Sequence, residues 1–476
     1  MVQLSLPVAF IEAQKSILSP SEWSLFEEAV SQSEPVTSIR LNPAKISDPS
    51  ALPVLTDDAE ARPVPWCPEG RYLSRRPSFT LDPLLHAGAY YVQEPSSMFV
   101  THVVRSLVSA PVTALDLCAS PGGKTTALQS ALPPGSLTVS NEIDRRRARI
   151  LAENVTKWGC PDVIVTANAP ADFSSLISAF DLILVDAPCS GEGMFRKDPA
   201  TIAEWSPAKV RECADTQHRI LRDIWPALRP GGLLIYSTCT YNIHENEEIL
   251  SFLCSEMGAE ALEVPVSPDW HIRPPLVGTL PCYRFMPHLT AGEGLFLSVV
   301  RKSSEASTRE AVRSPRAKRT MHHAPGHARR IPLVGREPLT VKPFFLLPSG
   351  YEFVSVGEGQ FAAFPSARLP LLERISAARL YTLLTGVELA SLKGRDLLPS
   401  HALALSSLPI VCKNYASCEV DTPLALQYLR REAVVLPDAP CGYVRITHRG
   451  LGLGWVKNLG SRANNLYPPE WRIRFL

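Results

Sequence analysis

Two cysteines carry the chemistry that this chain of 476 residues displays most plainly: Cys189 in Asp186-Ala187-Pro188-Cys189-Ser190-Gly191, and Cys239 in Ser237-Thr238-Cys239-Thr240-Tyr241-Asn242. Each follows an apolar, strand-like run, so both thiols are expected at the carboxyl edge of one sheet, where open α/β sheets keep their chemistry. A thiolate can add to an electron-poor ring carbon and split one hard bond-making step into two easier ones. A free cysteine is often just a small buried hydrophobe, but small polar residues flank both of these at a strand end. Asp186, in the same strand end as Cys189, adds a carboxyl group able to stabilise charge as it develops. By chemistry alone the Pro188-Cys189 pair is an attractive nucleophile.

Upstream, Leu115-Asp116-Leu117 runs into Cys118-Ala119-Ser120-Pro121-Gly122-Gly123-Lys124, a strand delivering a glycine turn into a helix. Such sheets hold nucleotide-like cofactors in this way. Gly123-Lys124-Thr125 matches the end of a phosphate loop, but that motif needs a glycine where Cys118 stands, and Pro121 removes an amide that would cradle phosphate. The dinucleotide fingerprint Gly-x-Gly-x-x-Gly is absent as well. What survives is a strand, a tight turn, and Glu142 at the end of the next strand, where a carboxylate accepts hydrogen bonds from ribose hydroxyls. This suits an adenosine cofactor without phosphates, and S-adenosyl-L-methionine is such a molecule. Asn168 ends the third strand, where a side chain faces adenine in sheets of this type, although a turn asparagine reads the same way. The candidate cofactor residues are therefore Cys118, Ala119, Ser120, Pro121, Gly122, Gly123, Lys124, Glu142, Asn168 and Asp186, with Cys118 reading chiefly as packing.

These residues need a frame. Candidate strands are 113–117, 137–140, 163–166, 182–185, 233–237 and 295–300, with helical patterns at 125–132, 145–158 and 208–228 that end at Pro133-Pro134-Gly135, Gly159 and Arg229-Pro230-Gly231-Gly232. The alternation predicts an α/β fold with a Rossmann-like doubly wound core over residues 76–302. Residues 1–75 read as a small α+β module, with a helix near 20–30 and a strand at 37–42. Residues 303–337 read as a basic linker, 338–402 as a connecting domain with an ambiguous stretch at 380–398, and 403–476 as a β-rich domain.

An apolar content of 45% and a charged content of 20% are those of a globular protein, and no apolar run approaches the roughly 20 residues a membrane span needs. The start lacks the pattern of a secretory signal, so the cytoplasm is the default location. Eleven scattered cysteines, without a Cys-x-x-Cys pair, predict free thiols and no metal site. Net charge is only +1, but residues 301–330 carry nine lysines and arginines against Glu305 and Glu310. That run reads as a solvated linker or as one that also touches nucleic-acid backbone.

Three segments together resemble a known family: Pro121-Gly122-Gly123-Lys124, Asp186-Ala187-Pro188-Cys189-Ser190-Gly191-Glu192-Gly193 and Ser237-Thr238-Cys239-Thr240 are similar to the signatures of the RNA cytosine-C5 methyltransferases of the Nol/Nop/Sun group. Tyr91 to Met98, Met194 to Pro199, Gly452 to Lys457 and Asn464 to Pro468 resemble the bacterial 16S ribosomal RNA members that carry a PUA-like carboxyl-terminal domain. The resemblance implies S-adenosyl-L-methionine-dependent methylation of cytosine carbon 5, with Cys239 adding to carbon 6 and Cys189 assisting product release. The implied partner is RNA, either 16S ribosomal RNA or the 30S subunit, with no obligate protein partner. The alternatives are the same reaction on transfer RNA, or an RNA-binding assembly factor without turnover. Arg40, Asn42, Arg71, Tyr72, Lys457, Arg462, Tyr467, Trp471 and Arg472 are the candidate RNA contacts, since basic and aromatic residues interleave there. Arg196 and Lys197 read either as RNA or cofactor-loop contacts or as a solvated pair, His244 as a capping or exposed residue, and Glu245 to Glu248 as the first turn of a helix without a catalytic role.

Overall fold

The computed structural model describes residues 5–32, 34–304, 343–394, 396–413 and 415–474. Most of the basic linker expected at 303–337 lies outside the described residues. Its neighbours Arg301 and Lys302 belong to a strand, and Lys302 is buried with its ammonium donating to Trp225 O at 2.9 Å.

An amino-terminal sheet has the order β2-β3-β1-β4, built from β1 (Thr37–Leu41), β2 (Arg62–Val64), β3 (Cys67–Leu73) and β4 (Tyr90–Val92). It extends past residue 75, because β4 returns to pair with β1. Two helices, Val8–Lys15 and Pro20–Ser31, precede it, the second capped by the Ser19 hydroxyl accepting from Glu22 N.

The central sheet contains β5 (Thr113–Asp116), β6 (Leu137–Asn141), β7 (Val163–Thr166), β8 (Phe180–Asp186), β9 (Leu228–Thr238), β10 (Ala259–Ala261), β11 (Tyr283–Phe285) and β12 (Leu295–Lys302). The order is β10-β12-β9-β8-β5-β6-β7, with β5 to β9 mutually parallel and β12 antiparallel to β9. The chain winds outward from β5 through β6 to β7 and then restarts at β8, so the topological switch falls between β5 and β8. A ligand crevice forms at the carboxyl ends of such strands. Helices Gly123–Ala131, Arg145–Trp158, Pro207–Ile224 and Glu247–Ser255 cover the sheet, and the parallel strands read as continuous apolar runs because both faces are buried. The helix expected over 208–228 stops at Ile224: Pro226 supplies no amide hydrogen, and Leu228 already begins β9.

The ambiguous 380–398 region is a set of strands. One of them, Thr382–Thr385, joins the central sheet antiparallel to β7 and so extends that layer with residues from far along the chain. The carboxyl-terminal hairpin, Gly442–His448 with Leu451–Asn458, needs its glycines for close approach, since a Cβ at Gly452 would lie 2.0 Å from Ala404 O.

Several expected RNA contacts are instead internal joints. Arg40 is fully buried, donating to Gln93 Oε1, Ser130 Oγ and Thr126 Oγ1 at 2.7, 3.1 and 2.5 Å and lying over the Trp158 ring at 4.4 Å. Burial pushes its pKa down to about 10. Asn42 donates to Gly88 O and Trp158 O. Tyr72 and Tyr467 are buried as well. Arg40, Asn42 and Tyr72 seal the amino-terminal module onto the central domain, and Tyr467 belongs to the carboxyl-terminal core, so none of them offers its side chain to solvent.

Arg40→Leu strands three buried acceptors and should lower the melting temperature, by an amount equivalent to about 3 kcal/mol. The affinity of the folded variant for RNA should stay unchanged, as a filter-binding titration would show.

Candidate active site

The cofactor turn is held from both sides. Ala119 N donates to Asn141 O at 2.8 Å, tying the turn to β6. Pro121 O accepts from Asn154 Nδ2 at 2.8 Å and from Tyr91 OH at 3.3 Å, and Ser120 Oγ donates to Arg147 O. Gly122 has φ +113°, a conformation L side chains rarely adopt, and it caps the helix Gly123–Ala131 so that the next amides point into the crevice.

Three carboxylates converge around this turn. Asp116 is buried, with Oδ2 accepting from Thr125 Oγ1 at 2.6 Å and Oδ1 without a hydrogen-bond partner. Burial pushes its carboxyl pKa up to about 7. Glu142, also buried, accepts from Asp144 N at 3.0 Å and faces Arg147 Nη2 at 3.4 Å. Asp186 Oδ2 pairs with Lys124 Nζ at 2.9 Å, and its Oδ1 accepts from Ser237 Oγ at 2.8 Å. Burial and the charges of Asp116, Asp186 and Glu142 hold the Cys118 thiol well above its usual range, so it stays neutral and packs, as its position suggested. An orphaned buried oxygen and a concentration of negative charge beside a helix amino-terminus fit a ligand with a cationic centre and a carboxylate, the two charged ends of S-adenosylmethionine.

Asn168 does not face this crevice freely. Its amide donates to Tyr381 O at 3.1 Å and accepts from Tyr381 N at 2.8 Å, holding the start of the added strand Thr382–Thr385. The expectation that its side chain reads adenine is corrected accordingly.

On the other side of the switch, β8 and β9 are in register with Asp186 opposite Ser237. Three residues beyond the first lies Cys189, and two beyond the second lies Cys239. Their sulfurs are 3.3 Å apart, and both cysteines are free and half-buried. The hydrogen bond to Cys239 and then burial hold the Cys189 thiol well above its usual range. Burial works against the charge of Lys124, but Asp186 outweighs it and keeps the ammonium protonated, with Cys239 and Glu94 adding to the effect. The site therefore contains two adjacent thiols, a fixed cation and a carboxylate at the mouth of the cofactor crevice. Among the described residues no cluster of His, Cys, Asp and Glu could hold a metal.

What fixes the two cysteine loops was not legible beforehand. Glu245, expected in the first turn of a helix, precedes a helix that starts at Glu247, and it is fully buried. It accepts from Ser190 N at 3.0 Å, Ser190 Oγ at 2.5 Å, Asn242 Nδ2 at 2.8 Å and Gln217 Nε2 at 2.8 Å. Glu192 mirrors it from the opposite loop, accepting from Tyr241 N, Asn242 N and Trp205 Nε1. Gly193 N donates to Cys239 O at 2.7 Å, and a Cβ on Gly193 would meet that same oxygen at 2.7 Å. Arg284 donates to Tyr241 O and to Glu247. Arg196 is neither solvated nor free for RNA, since it forms a buried pair with Glu293 at 2.8 Å and donates to Gly292 O. Lys197 is exposed, and His244 is an exposed residue paired with Glu248.

Comparison with known proteins follows the same layout. The family described as "16S rRNA methyltransferase RsmB/F" matches residues 109–301, the "N-terminal domain of 16S rRNA methyltransferase RsmF" matches 6–95, and the "Methyltransferase RsmF PUA domain" matches 415–473. The ribosomal RNA small subunit methyltransferase F of Serratia proteamaculans (strain 568) is 30% identical over 484 residues, covering 98% of this chain and 96% of the relative. That of Aliivibrio fischeri (strain MJ11) is 31% identical over 475 residues, covering 98% and 97%. Among solved structures, a methyltransferase homolog protein from Pyrococcus horikoshii superposes with a TM-score of 0.53 at 27% identity, over 62% of this chain and 94% of that one. NSun6 from Pyrococcus horikoshii with SFG shares the fold at a TM-score of 0.54 and 22% identity, over 62% and 98%.

Between about pH 4 and 7 the folded state holds the Asp116 proton more tightly than the unfolded chain does, so this group costs stability as pH rises through that window, and fully above it. Asp116→Asn should therefore gain stability relative to the wild type between pH 5 and pH 8. Paired melting curves at the two pH values check this, and a constant difference would contradict it.

Proposed function

The chain belongs to the 16S rRNA methyltransferase RsmB/F family, and from that premise we propose that it methylates carbon 5 of a cytosine in 16S ribosomal RNA through a covalent adduct with Cys239. It is an S-adenosylmethionine-dependent RNA methyltransferase. The observation that carries the finer reading is the pair of thiols 3.3 Å apart beside the Lys124–Asp186 pair and the cofactor turn.

Carbon 5 of cytosine is a poor nucleophile. Addition of the Cys239 thiolate to carbon 6 forms an S–C bond and pushes electron density onto carbon 5, which can then accept a methyl group. The cofactor, when bound, supplies that methyl as an electrophile on a positively charged sulfur. Lys124, held protonated by Asp186 with a smaller contribution from Cys239, places a positive charge beside the attacking sulfur. The Asp186 carboxylate, anchored by Ser237 and Lys124, is positioned to accept a hydrogen bond from the cytosine's amino group and so to hold the ring, whose negative charge after thiolate addition is neutralised when carbon 5 takes the methyl group.

Release requires that the carbon 5 proton leave, the C5=C6 double bond re-form and the C6–S bond break, returning the electron pair to Cys239. Cys189 is the adjacent base. The first cause of its raised pKa is its hydrogen bond with Cys239. Once that sulfur is bonded to cytosine this cause is gone, which moves the Cys189 thiol down towards its usual range against the burial and the Glu245 charge that remain. Burial of Glu245 and Glu192 beneath the loops keeps both sulfurs in place through the cycle. The target base must be unpaired or extruded, because carbon 6 is out of reach within a duplex. A ribosomal RNA substrate supports a cytoplasmic location, and no helix among the described residues is long and apolar enough to cross a membrane.

Cys239→Ala should lower methyl transfer to unmodified 16S RNA at least about 10³-fold, and appreciable residual activity would refute the nucleophile assignment. Cys189→Ala should accumulate a protein–RNA adduct that survives denaturing electrophoresis. Size separation of the labelled RNA distinguishes ribosomal from transfer RNA as substrate, and a wild-type protein that labels neither would leave only an assembly-factor role.

A further inference from the structure

The added strand Thr382–Thr385 brings a residue from well beyond β12 to the cofactor crevice. It runs antiparallel to β7, so its first residues stand at the carboxyl end of the central sheet. Tyr381 is fixed there through its backbone. Its carbonyl oxygen accepts from Ala167 N at 2.9 Å and from Asn168 Nδ2 at 3.1 Å, and its amide donates to Asn168 Oδ1 at 2.8 Å. Leu384 of the same strand packs in one cluster with Ala119 of the cofactor turn and with Leu151 and Val155 of the helix Arg145–Trp158. Glu142, Asn168 and Tyr381 therefore lie side by side at the ends of β6, β7 and the added strand, on the edge of the sheet that receives the cofactor.

This corner holds an immobilised ring beside an exposed apolar side chain. The Tyr381 ring is half-buried, and the guanidinium carbon of Arg145 lies over it at 4.8 Å, which ties the ring to the segment 142–145. Within that segment Ile143, next to Glu142, is 63% exposed. A single exposed isoleucine on a protein surface needs no explanation. This one adjoins a carboxylate placed for ribose hydroxyls and lies two residues from the arginine that covers an aromatic ring. An apolar side chain and a held ring at the ribose end of a cofactor crevice offer a flat base the apolar surface that its faces require.

We propose that Tyr381 is a cofactor-binding residue whose ring borders the adenine of S-adenosyl-L-methionine, with Ile143 as a second apolar wall and Asn168 as the positioning residue that holds the Tyr381 backbone. The proposal rests on the S-adenosylmethionine dependence stated above and not on which base is methylated. It gives the chain beyond β12 a part in cofactor affinity. It also gives the Asn168 amide a role at the adenine end of the crevice, exerted through Tyr381.

The test is isothermal titration calorimetry of S-adenosyl-L-homocysteine with the full-length protein, each variant first shown to be folded by its melting curve. Tyr381→Ala should raise Kd about tenfold, in the range lost when an aromatic ring is removed from a base, while Tyr381→Phe keeps the ring and should stay within about twofold of wild type. Should Tyr381→Ala fail to fold, Tyr381→Leu, which keeps apolar bulk without the ring, should show the same loss. Asn168→Ala should weaken binding about threefold on its own and add little to Tyr381→Ala, because both act through one contact. Arg368→Gln is the control for docking alone. Arg368 also lies beyond β12 and donates to Gly135 O and Thr113 Oγ1 at the opposite, amino-terminal edge of the sheet, so its loss should leave Kd unchanged. A wild-type Kd in folded Tyr381→Ala overturns the proposal. So does an equal loss in Tyr381→Phe, or in Arg368→Gln, which would make docking and not the ring responsible. A wild-type protein that does not bind S-adenosyl-L-homocysteine overturns the cofactor reading as well.

Discussion

The register between two parallel strands is the constraint on which the rest depends. Asp186 lies opposite Ser237 at the carboxyl ends of β8 and β9, and from that pairing short loops bring Cys189 and Cys239 into contact. A one-residue slip would turn the strand-end side chains to the other face and separate the sulfurs. The loops alone would not hold this geometry, so Glu192 and Glu245 are buried beneath them and bonded to the amides and side chains of both. Burying a carboxylate is costly unless its oxygens are satisfied. Here each glutamate takes at least three donors, so the polar layer under the thiols is rigid.

The same economy explains how the cofactor side and the nucleophile side meet. Lys124 leaves the glycine turn and pairs with Asp186, linking β5's loop to β8's across the topological switch. One cation thereby orients the strand-end carboxylate and sets a positive charge beside the pair of sulfurs. Asp116 and Glu142 set the charge of the adjoining crevice.

Much of this was readable in the chain. Continuous apolar runs ending in Asp186 and Ser237 announced buried parallel strands, and Gly122 with its neighbours announced the turn, because both signals are local. Val163–Thr166 and Arg145–Trp158 match their expected bounds for the same reason. What escaped depends on partners distant in sequence. Arg40 and Asn42 look like surface residues until Trp158, Ser130 and Gly88 arrive from other elements to satisfy them. Glu245 reads as one more acid of a first helical turn until Ser190 and Gln217 reach it. Asn168 looked ready for adenine, but Tyr381, more than two hundred residues later, takes its amide and carries a strand onto the edge of the catalytic sheet. Polar side chains announce that they need partners, but not which ones.

The central claim is that the sulfur of residue 239 bonds to a cytosine. It is tested most directly with 16S RNA transcribed with 5-fluorocytidine, whose carbon 5 carries no proton to lose after methylation, so the complex cannot resolve. Digestion of the trapped complex and mass spectrometry should find a methylated fluorocytidine on the peptide containing Cys239. The same mass on the peptide containing Cys189, or no adduct while ordinary RNA is methylated, would contradict the account.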